Sequence, residues 1–324
     1  MEITPSNFVK ALKDESFLGR DKRTEKYSQI YTRGGIFNLD ENISSGSTLF
    51  PEIQKRKKIC DPNIRGGIFS EDISSREYDF PEIHCPEYTR GGFDKAIIKH
   101  KPFILESFYY TDEETEKLLP LFGDFLLDSG AFTFMQNATS DIVWEEYIEK
   151  YADFIKRNNV EKFFELDIDP IVGYEKVKYY RQRLETLAGR PCIPVWHKSR
   201  GIDEFYRMCD EYGYGAIGGV VTKEISKKQY DFFPLLIKEA HKRNCKLHGL
   251  GFTNLSYLPK CHFDSVDSTA WTAGNRFGYV YKFDGKTMQK IDAPKGKRLA
   301  DPRKVALNNY IEWIKFQKYA EANL

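Results

Sequence analysis

One stretch decides how this chain is read: Phe263-Asp264-Ser265-Val266-Asp267-Ser268-Thr269-Ala270-Trp271. Apolar and polar residues alternate along it, and Pro259 and Gly274 flank it, so we predict a short strand whose carboxylates point to one face. Unpaired carboxylates are costly in an apolar interior. We therefore expect the strand to present its last carboxylate, Asp267, at a functional site. The alternative is that an Asp of this stretch caps the turn or helix that follows.

The composition is that of a globular protein. The chain has 324 residues, 41% of them hydrophobic, with 24 Phe and 20 Tyr, which suffices for one large α/β domain or two smaller ones. A formal net charge of +1 gives no global attraction to nucleic acid, but from Lys282 onward there are ten Lys or Arg residues and five Asp or Glu residues. This basic C-terminal segment either meets phosphates or is an ordinary solvated surface.

The cysteines and the first residues indicate a cellular compartment. The six cysteines are scattered without a Cys-x-x-Cys pair, as is typical of a reduced intracellular protein. Residues 1–6 contain no basic or apolar leader, and no run approaches the roughly 20 apolar residues of a membrane span. We expect a soluble, cytoplasmic chain with no membrane partner.

An internal repeat marks residues 1–100. Tyr31-Thr32-Arg33-Gly34-Gly35-Ile36-Phe37 recurs at Ile64 to Phe69 and, shortened, at Tyr88 to Phe93. Arg-Gly-Gly lets an arginine reach a phosphate while the glycines permit close backbone approach. We therefore divide the chain into an N-terminal extension, residues 1–100, and a second domain, residues 101–324. The extension either contacts phosphates or forms tight turns in a duplicated insert.

From Lys101 onward, short apolar strands alternate with helical segments. Strands are predicted at Phe103 to Tyr110, Phe125 to Phe132, Lys162 to Asp169, Cys192 to His197, Ala216 to Val221, Lys246 to Phe252 and Ser265 to Thr269. Helices are predicted at Glu113 to Leu121, Ser140 to Arg157, Tyr174 to Leu187, Ile202 to Tyr212, Ser226 to Arg243, Leu255 to Lys260 and Pro302 to Ala322. This alternation indicates an α/β protein with a parallel sheet and favours a (β/α)8 TIM-like barrel. The eighth strand would come from Gly278 to Phe283, where Asp284-Gly285 also signals a hairpin, or from the N-terminal region.

Polar residues and glycines follow the predicted strands. Active sites of such barrels lie at the carboxyl ends of the strands. Here those ends carry Asp128-Ser129-Gly130-Ala131-Phe132, Asp167, Asp169, Trp196-His197, Gly218-Gly219, Gly249-Leu250-Gly251 and Asp267. Carboxylates, an imidazole and glycines are therefore expected to meet in one place, where glycines let a flat ligand approach the backbone.

In this order the motifs resemble those of the tRNA-guanine transglycosylase superfamily, and more closely those of the phage-type enzymes that insert 7-deazaguanines into DNA. Asp128 to Phe132 is similar to the family's Asp-Ser-Gly-Gly-Phe, and Asp167 before Pro170 is similar to its Asp after an apolar strand. Gly218 to Glu224 resembles Gly-Gly-Leu-x-x-Gly-Glu, and Val266-Asp267-Ser268 resembles the segment that bears the nucleophile. The resemblance covers roughly residues 103–275, and residues 1–100 have no counterpart.

Two departures from the family bear on the substrate. Zinc-containing relatives have a Cys-x-Cys-x-x-Cys…His site after the nucleophile, but no Cys or His follows His262 here, so we expect no zinc subdomain, no metal and no other cofactor. Trp196-His197 stands where the tRNA enzymes place a Gln that reads the base. The missing zinc subdomain binds tRNA in those relatives, and its absence favours DNA over tRNA as substrate.

The resemblance implies base exchange through a covalent aspartyl-glycosyl intermediate. Asp267 would be the nucleophile at the sugar C1′, and Asp128 would be the general acid and base. The base-binding residues would be Ser129, Gly130, Phe132, Asp167, Trp196, His197, Gly218 and Gly219.

Individual roles within this set follow from the chemistry of guanine. Asp167 would accept from N1–H and the 2-amino group, His197 would read O6 or the 7-substituent, and Gly218 and Gly219 would offer backbone N–H groups. Phe132, Trp196 or Trp271 would stack on the flipped base. Asp169 and Asp264 are interpreted as structural, His248 as a satisfied core imidazole, and Glu224 as either a helix cap or a site residue.

The implied partners are guanine-containing DNA and a free 7-deazaguanine base such as preQ0, in the cytoplasm of an infected host cell if the chain is phage-encoded. Three alternatives stay open: a tRNA-guanine transglycosylase on a reduced scaffold, a glycosylase in which water replaces the incoming base, and a non-catalytic nucleic-acid-binding relative. The presence of both Asp128 and Asp267 argues against the last of these.

Overall fold

The computed structural model describes residues 100–130, 133, 142–293 and 302–324. The Arg-Gly-Gly repeats, with the phosphate contacts predicted for them, lie outside the described residues. So do Phe132, one of the predicted base-binding residues, and the N-terminal alternative for an eighth strand.

Strands and helices alternate along the described part of the chain. The strands are β1 (Phe103–Ser107), β2 (Asp124–Asp128), β3 (Lys162–Phe163), β4 (Val195–Trp196), β5 (Tyr214–Ile217), β6 (Lys246–Gly249), β7 (Ser265–Val266), β8 (Tyr279–Phe283) and β9 (Met288–Asp292). The α-helices are α1 (Glu113–Leu118), α2 (Trp144–Arg157), α3 (Asp169–Val172), α4 (Tyr174–Ala188), α5 (Ile202–Glu211), α6 (Phe233–Lys242), α7 (Leu258–Cys261), α8 (Ala270–Phe277) and α9 (Pro302–Asn323). Each of the seven strands predicted with bounds overlaps a shorter strand of the structure, with β2 and β5 beginning before the predicted bounds, whereas the helices α3 and α8 were not predicted.

The described residues form two compact units. The first contains the described residues of Leu127–Ser268, and the second contains those before residue 127 together with those of Thr269–Leu324.

In the first unit the parallel strands follow one another in sequence order. β4 pairs in parallel with β5, β5 with β6, and β6 with β7. A parallel bridge between Phe164 and Ile193 continues this order from β3 towards β4, and the Phe164 N–H donates to the Leu127 carbonyl at the end of β2. The mixed α/β class and the parallel pairing predicted from the alternation are confirmed. Because parallel strands run the same way, their carboxyl ends lie at one edge.

Helix α2 fixes the strand ends that carry the site. Its buried side chains recur at helical spacing, and two of them are tyrosines, Tyr147 and Tyr151. Buried hydroxyls need hydrogen-bond partners. The Tyr147 hydroxyl donates to the Ser129 carbonyl at 2.5 Å, and the Tyr151 hydroxyl lies 3.0 Å from the Leu127 carbonyl oxygen and 3.1 Å from that of Phe164. The backbone on both sides of Asp128 is therefore held by one helix.

The second unit contains a hairpin in place of the expected eighth parallel strand. β8 pairs antiparallel with β9, so the expectation that Gly278 to Phe283 joins the parallel strands is wrong, while the hairpin signal is confirmed. The reason is local, because Gly285 adopts a φ of +99° and the Asp284 carboxylate accepts from the N–H groups of Lys286 and Thr287, which closes the turn.

Helix α9 covers the edge of this hairpin. Asn309 accepts from the Tyr281 N–H at 2.7 Å, and Glu312 accepts from the Phe283 N–H at 2.6 Å, so these ladder donors of β8 are satisfied by side chains. The core beneath it is built from Ile104, Phe122, Trp271, Ala306, Leu307, Tyr310 and Ile314. Among the described residues, no helix combines the length and apolar character that a membrane span requires.

Candidate functional site

Three aspartates meet at the carboxyl ends of strands in the first unit. Asp128 is the last residue of β2, Asp167 follows β3, and Asp267 follows β7. The negative charges of Asp267 and Asp167 both act on Asp128, so the three carboxylates occupy one place. The structure thus brings together the nucleophile, the acid and base, and the base-reading carboxylate that the sequence motifs predict.

Asp128 is held in a state suited to proton transfer. Burial raises its pKa, the Gly130 N–H donated to Oδ2 at 2.9 Å opposes that rise, and the charges of Asp267 and Asp167 add to it, giving a pKa of about 6. Gly130 makes its bond from a left-handed conformation, φ +80°, that residues with a Cβ adopt only at a cost. The buried Ser129 contributes its carbonyl, which Tyr147 holds, so Ser129 and Gly130 position Asp128 through their backbone.

Asp267 is anchored through one of its two oxygens. Oδ1 accepts from the Gly251 N–H at 2.6 Å and lies 3.2 Å from His248 Nε2. No residue in the described part of the chain donates to Oδ2, and the side chain is 20% exposed. The following helix α8 has Thr269 as its N-cap and no side-chain cap bond, so Asp267 does not serve as a cap. The described residues therefore orient the carboxylate through Oδ1 alone.

The Asp264 side chain does not point in the same direction as that of Asp267. Its Oδ2 accepts from the Leu247 N–H at 2.8 Å and lies 2.8 Å from His241 Nε2, which agrees with the structural role predicted for it. The prediction that the carboxylates of this strand share one face is therefore wrong. Side chains alternate along a strand, so residues three apart point to opposite faces.

His197 lies between two carboxylates. Nε2 is 2.8 Å from both oxygens of Asp167, and Nδ1 is 2.9 Å from Glu224 Oε2. Carboxylates only accept hydrogen bonds, so both ring nitrogens donate and the ring is an imidazolium. Burial alone would lower the pKa of His197, but the charges of and hydrogen bonds to Asp167 and Glu224 outweigh it and raise the pKa to about 10.

Glu224 lies beside His197 and accepts from the Ser199 N–H. Burial alone would raise its pKa, but the hydrogen bond and charge of His197, together with the Ser199 N–H at 2.6 Å, lower it to about 2. Of the two roles considered for Glu224 from sequence, the structure supports the one at the site.

A buried ion-pair network lies behind Asp167. The Glu165 side chain has no exposure and accepts from Arg181 Nε at 2.6 Å, Arg200 Nη1 at 3.0 Å and the Val195 N–H at 2.9 Å. Arg200 also bonds Asp169 at 2.9 Å through Nε and contacts Asp167 at 3.4 Å. The structural role predicted for Asp169 is consistent with this ion pair.

Sequence reasoning missed Glu165, Arg181 and Arg200. The available signal was Glu165-Leu166-Asp167-Ile168-Asp169, in which carboxylates occupy every second position. Such a face cannot pack against an apolar core without cations beside it.

Of the two glycines after β5, Gly218 does not act as predicted. The Gly218 N–H donates to the Trp196 carbonyl at 2.9 Å, so it does not offer this group to a ligand. A Cβ at Gly218 would lie 2.8 Å from the His197 ring, so the glycine instead makes room for His197. The Gly219 N–H donates to none of the described residues and stays a candidate for base binding.

The tryptophans expected to stack on a base are packed into protein. Trp196 is 2% exposed, donates Nε1–H to the Gly201 carbonyl at 2.8 Å and packs edge-on against Phe205 of α5. Because neighbours in a strand alternate, His197 points into the site and Trp196 away from it. Trp271 belongs to the core of the second unit. The prediction that Trp196 stacks on the base is therefore wrong.

His248 is the further residue that the sequence did not connect to the site. It is 1% exposed and hydrogen-bonded, as predicted for a core imidazole, but one of its partners is Asp267.

Within the described residues no three His, Cys, Asp or Glu side chains are grouped to hold a metal ion. The predicted lack of zinc stays a prediction. Comparison with protein-family models and with curated proteins finds no match for this chain.

We expect Asp128→Asn to stabilise the protein at neutral pH. The folded state keeps a proton on Asp128 up to about pH 6, whereas an unfolded aspartate loses it near 3.8, so ionisation destabilises the fold as the pH rises between these values. The variant should gain up to about 3 kcal/mol in the free energy of unfolding at pH 7 and almost nothing at pH 3. Urea titrations over this range measure it, with the exposed Asp153→Asn as control. A gain that is largest at pH 3 would contradict the assignment.

We expect His197→Gln to remove a contribution to stability that wild type keeps at neutral pH and loses at alkaline pH. The folded pKa of about 10 exceeds the ordinary 6.5, so the imidazolium stabilises the fold fully below pH 6.5 and loses this effect as the pH rises towards 10. The difference in free energy of unfolding between wild type and variant should shrink by on the order of 2–5 kcal/mol across this range. Denaturant unfolding at several pH values measures it, and His241→Gln, at the half-exposed pair with Asp264, is the matched control. A constant difference would show that His197 is neutral.

Proposed function

We propose that this chain is a base-exchange transglycosylase that replaces guanine in DNA by a 7-deazaguanine such as preQ0. The supporting observation is the pair Asp128 and Asp267, two carboxylates in one place with different environments. The pKa of Asp128 is raised to about 6, while Asp267 receives two donors on one oxygen. Glycosyl transfer with retention uses such a division between a proton-carrying carboxyl and a nucleophilic carboxylate.

In the first step the open oxygen of Asp267, Oδ2, attacks the sugar C1′. The bond between C1′ and N9 of guanine breaks, its electron pair leaves with guanine, and Asp128 supplies the proton that neutralises the leaving base. The product is a glycosyl ester on Asp267. In the second step N9 of the 7-deazaguanine attacks C1′, Asp128 takes the proton from the entering base, and the carboxylate of Asp267 is released.

Base recognition in this proposal belongs to Asp167. Its oxygens accept from His197 and Arg200 and still have lone pairs directed away from them, which suit the N1–H and 2-amino group of guanine. Both N–H groups of His197 are engaged by carboxylates, so His197 acts on the base by orienting Asp167 and not by reading O6 directly.

We further propose that the parallel strands close into a (β/α)8-like barrel. Their sequential order and the meeting of polar residues at their carboxyl ends support this architecture. The Arg-Gly-Gly repeats of residues 1–100 and the basic C-terminal segment would then contact DNA phosphates.

We expect Asp267→Asn to abolish exchange and Asp264→Asn to retain it. The amide cannot form the glycosyl ester, whereas Asp264 bonds only Leu247 and His241 among its described contacts. Intact-protein mass spectrometry with a guanine-containing oligonucleotide should show a covalent adduct on wild type and on Asp264→Asn alone. Circular dichroism checks that both variants fold. An adduct on Asp267→Asn, or its loss in Asp264→Asn alone, would move the nucleophile to another residue.

We expect labelled guanine to be released from DNA and not from tRNA when a free 7-deazaguanine is supplied. DNA binding should fall steeply with salt, with a slope of about −0.9 in log K against log salt for each neutralised phosphate of duplex DNA. In the full chain, replacing Arg33, Arg65 and Arg90 by Ala should flatten that slope. Exchange on tRNA alone would favour the tRNA enzyme, and release without incorporation would indicate a hydrolytic glycosylase. An unchanged slope in the triple variant would make the repeats a structural insert.

A further inference from the structure

A hydrogen-bonded chain of three side chains ends on Asp267. The Tyr214 hydroxyl lies 2.5 Å from Ser265 Oγ, and Ser265 Oγ lies 2.5 Å from His248 Nδ1. His248 Nε2 in turn lies 3.2 Å from Asp267 Oδ1. The chain crosses three neighbouring strands, β5, β6 and β7, and the register of the sheet places His248 directly opposite Ser265. Its members are therefore brought together by the backbone pairing.

With a neutral imidazole at His248, the chemistry of Asp267 gives every bond in this chain one direction. A carboxylate only accepts, so His248 Nε2 must carry a proton. In a neutral ring Nδ1 is then an acceptor, so Ser265 donates its hydroxyl proton to Nδ1. The Ser265 oxygen is left to accept from the Tyr214 hydroxyl. Each donor thus points towards Asp267, and bonds aligned in this way strengthen one another.

The surroundings of His248 keep the ring in place. The residue is 1% exposed, and the Phe164 ring packs against it with centroids 5.2 Å apart. The donated proton reaches the same oxygen, Oδ1, that accepts from Gly251, while Oδ2 has no donor among the described residues. The two donors therefore make the carboxylate asymmetric.

We propose that His248 is a positioning residue for Asp267, and that Ser265 and Tyr214 hold it in the Nε2–H tautomer. This inference rests on the proposed function, and it adds to it a reason why Oδ2 attacks and why the ester breaks down. After attack by Oδ2, Oδ1 is the carbonyl oxygen of the ester. When the entering base displaces the ester, negative charge returns to the carboxylate, and the His248 and Gly251 donors are already aimed at it.

A role in positioning predicts a kinetic pattern that a role in packing does not. Without a fixed Nε2–H donor the release of the carboxylate slows, so the glycosyl-enzyme accumulates, and kcat and the KM for the nucleic acid fall together while kcat/KM stays constant. A merely structural residue would change the folded fraction and lower the adduct and the rate together.

The decisive variants are Ser265→Ala, which breaks the chain beside His248, and Ser265→Thr, which keeps the hydroxyl. Two readouts are needed. The ¹⁵N chemical shifts of the His248 ring report the tautomer without any turnover. Turnover on a guanine-containing oligonucleotide, with trapped adduct counted by mass spectrometry, reports the reaction. His241→Gln, at the other histidine and carboxylate pair of these strands, serves as control.

We expect the Nε2–H tautomer in wild type, and mixed tautomers with kcat lower by about 10- to 100-fold and more adduct in Ser265→Ala. Ser265→Thr should restore both, and Tyr214→Phe should have a smaller effect of the same kind. An Nδ1–H tautomer in wild type, or an unchanged kcat in Ser265→Ala with mixed tautomers, would overturn the inference. A wild-type protein that forms no adduct and releases no guanine refutes the proposed function and with it the kinetic role, and the ring shifts then decide the hydrogen-bonded chain alone.

Discussion

Glu165 carries its carboxylate with no access to water, and the arrangement around the site follows from that constraint. A buried charge that loses its partner costs several kcal/mol, so the two arginines beside Glu165 have to stay where they are. Arg200 is one of them, and its guanidinium also reaches Asp169 and Asp167. Glu165 therefore fixes the position of Asp167 through Arg200. Asp167 and Glu224 in turn fix the position of the His197 ring.

The fold gives two residues of the same type, Asp128 and Asp267, two different environments. Asp128 sits at the end of β2 where burial and two neighbouring carboxylates disfavour its charge. Asp267 has a backbone N–H and an imidazole at one oxygen, Oδ1. The repulsion among the three gathered aspartates is relieved below about pH 6, where Asp128 holds a proton, and by the cations next to Asp167. This division of states is what the proposed chemistry uses.

Much of the secondary structure could be predicted from sequence, because apolar runs and helical spacing are local signals. The seven strands and the turn at Asp284-Gly285 are examples. The sequence did not predict which hydrogen-bond or packing partner each polar side chain has. Trp196 and His197 are adjacent, and both side chains carry a ring N–H. Because side chains alternate along a strand, Trp196 packs against α5 and His197 contacts the carboxylates. His248 looks like any buried imidazole until the register of β6 and β7 places it between Ser265 and Asp267.

The sequential parallel order of the strands has a consequence for how the protein folds. Neighbouring strands are joined through nearby helices, so the sheet can grow one strand at a time with contacts of modest sequence separation. Asp128 and Asp267, in contrast, come from opposite ends of the first unit and meet only when its first and last parallel strands are both in place. If the sheet grows in this order, the electrostatic cost of gathering the carboxylates arises only when both of these strands are in place.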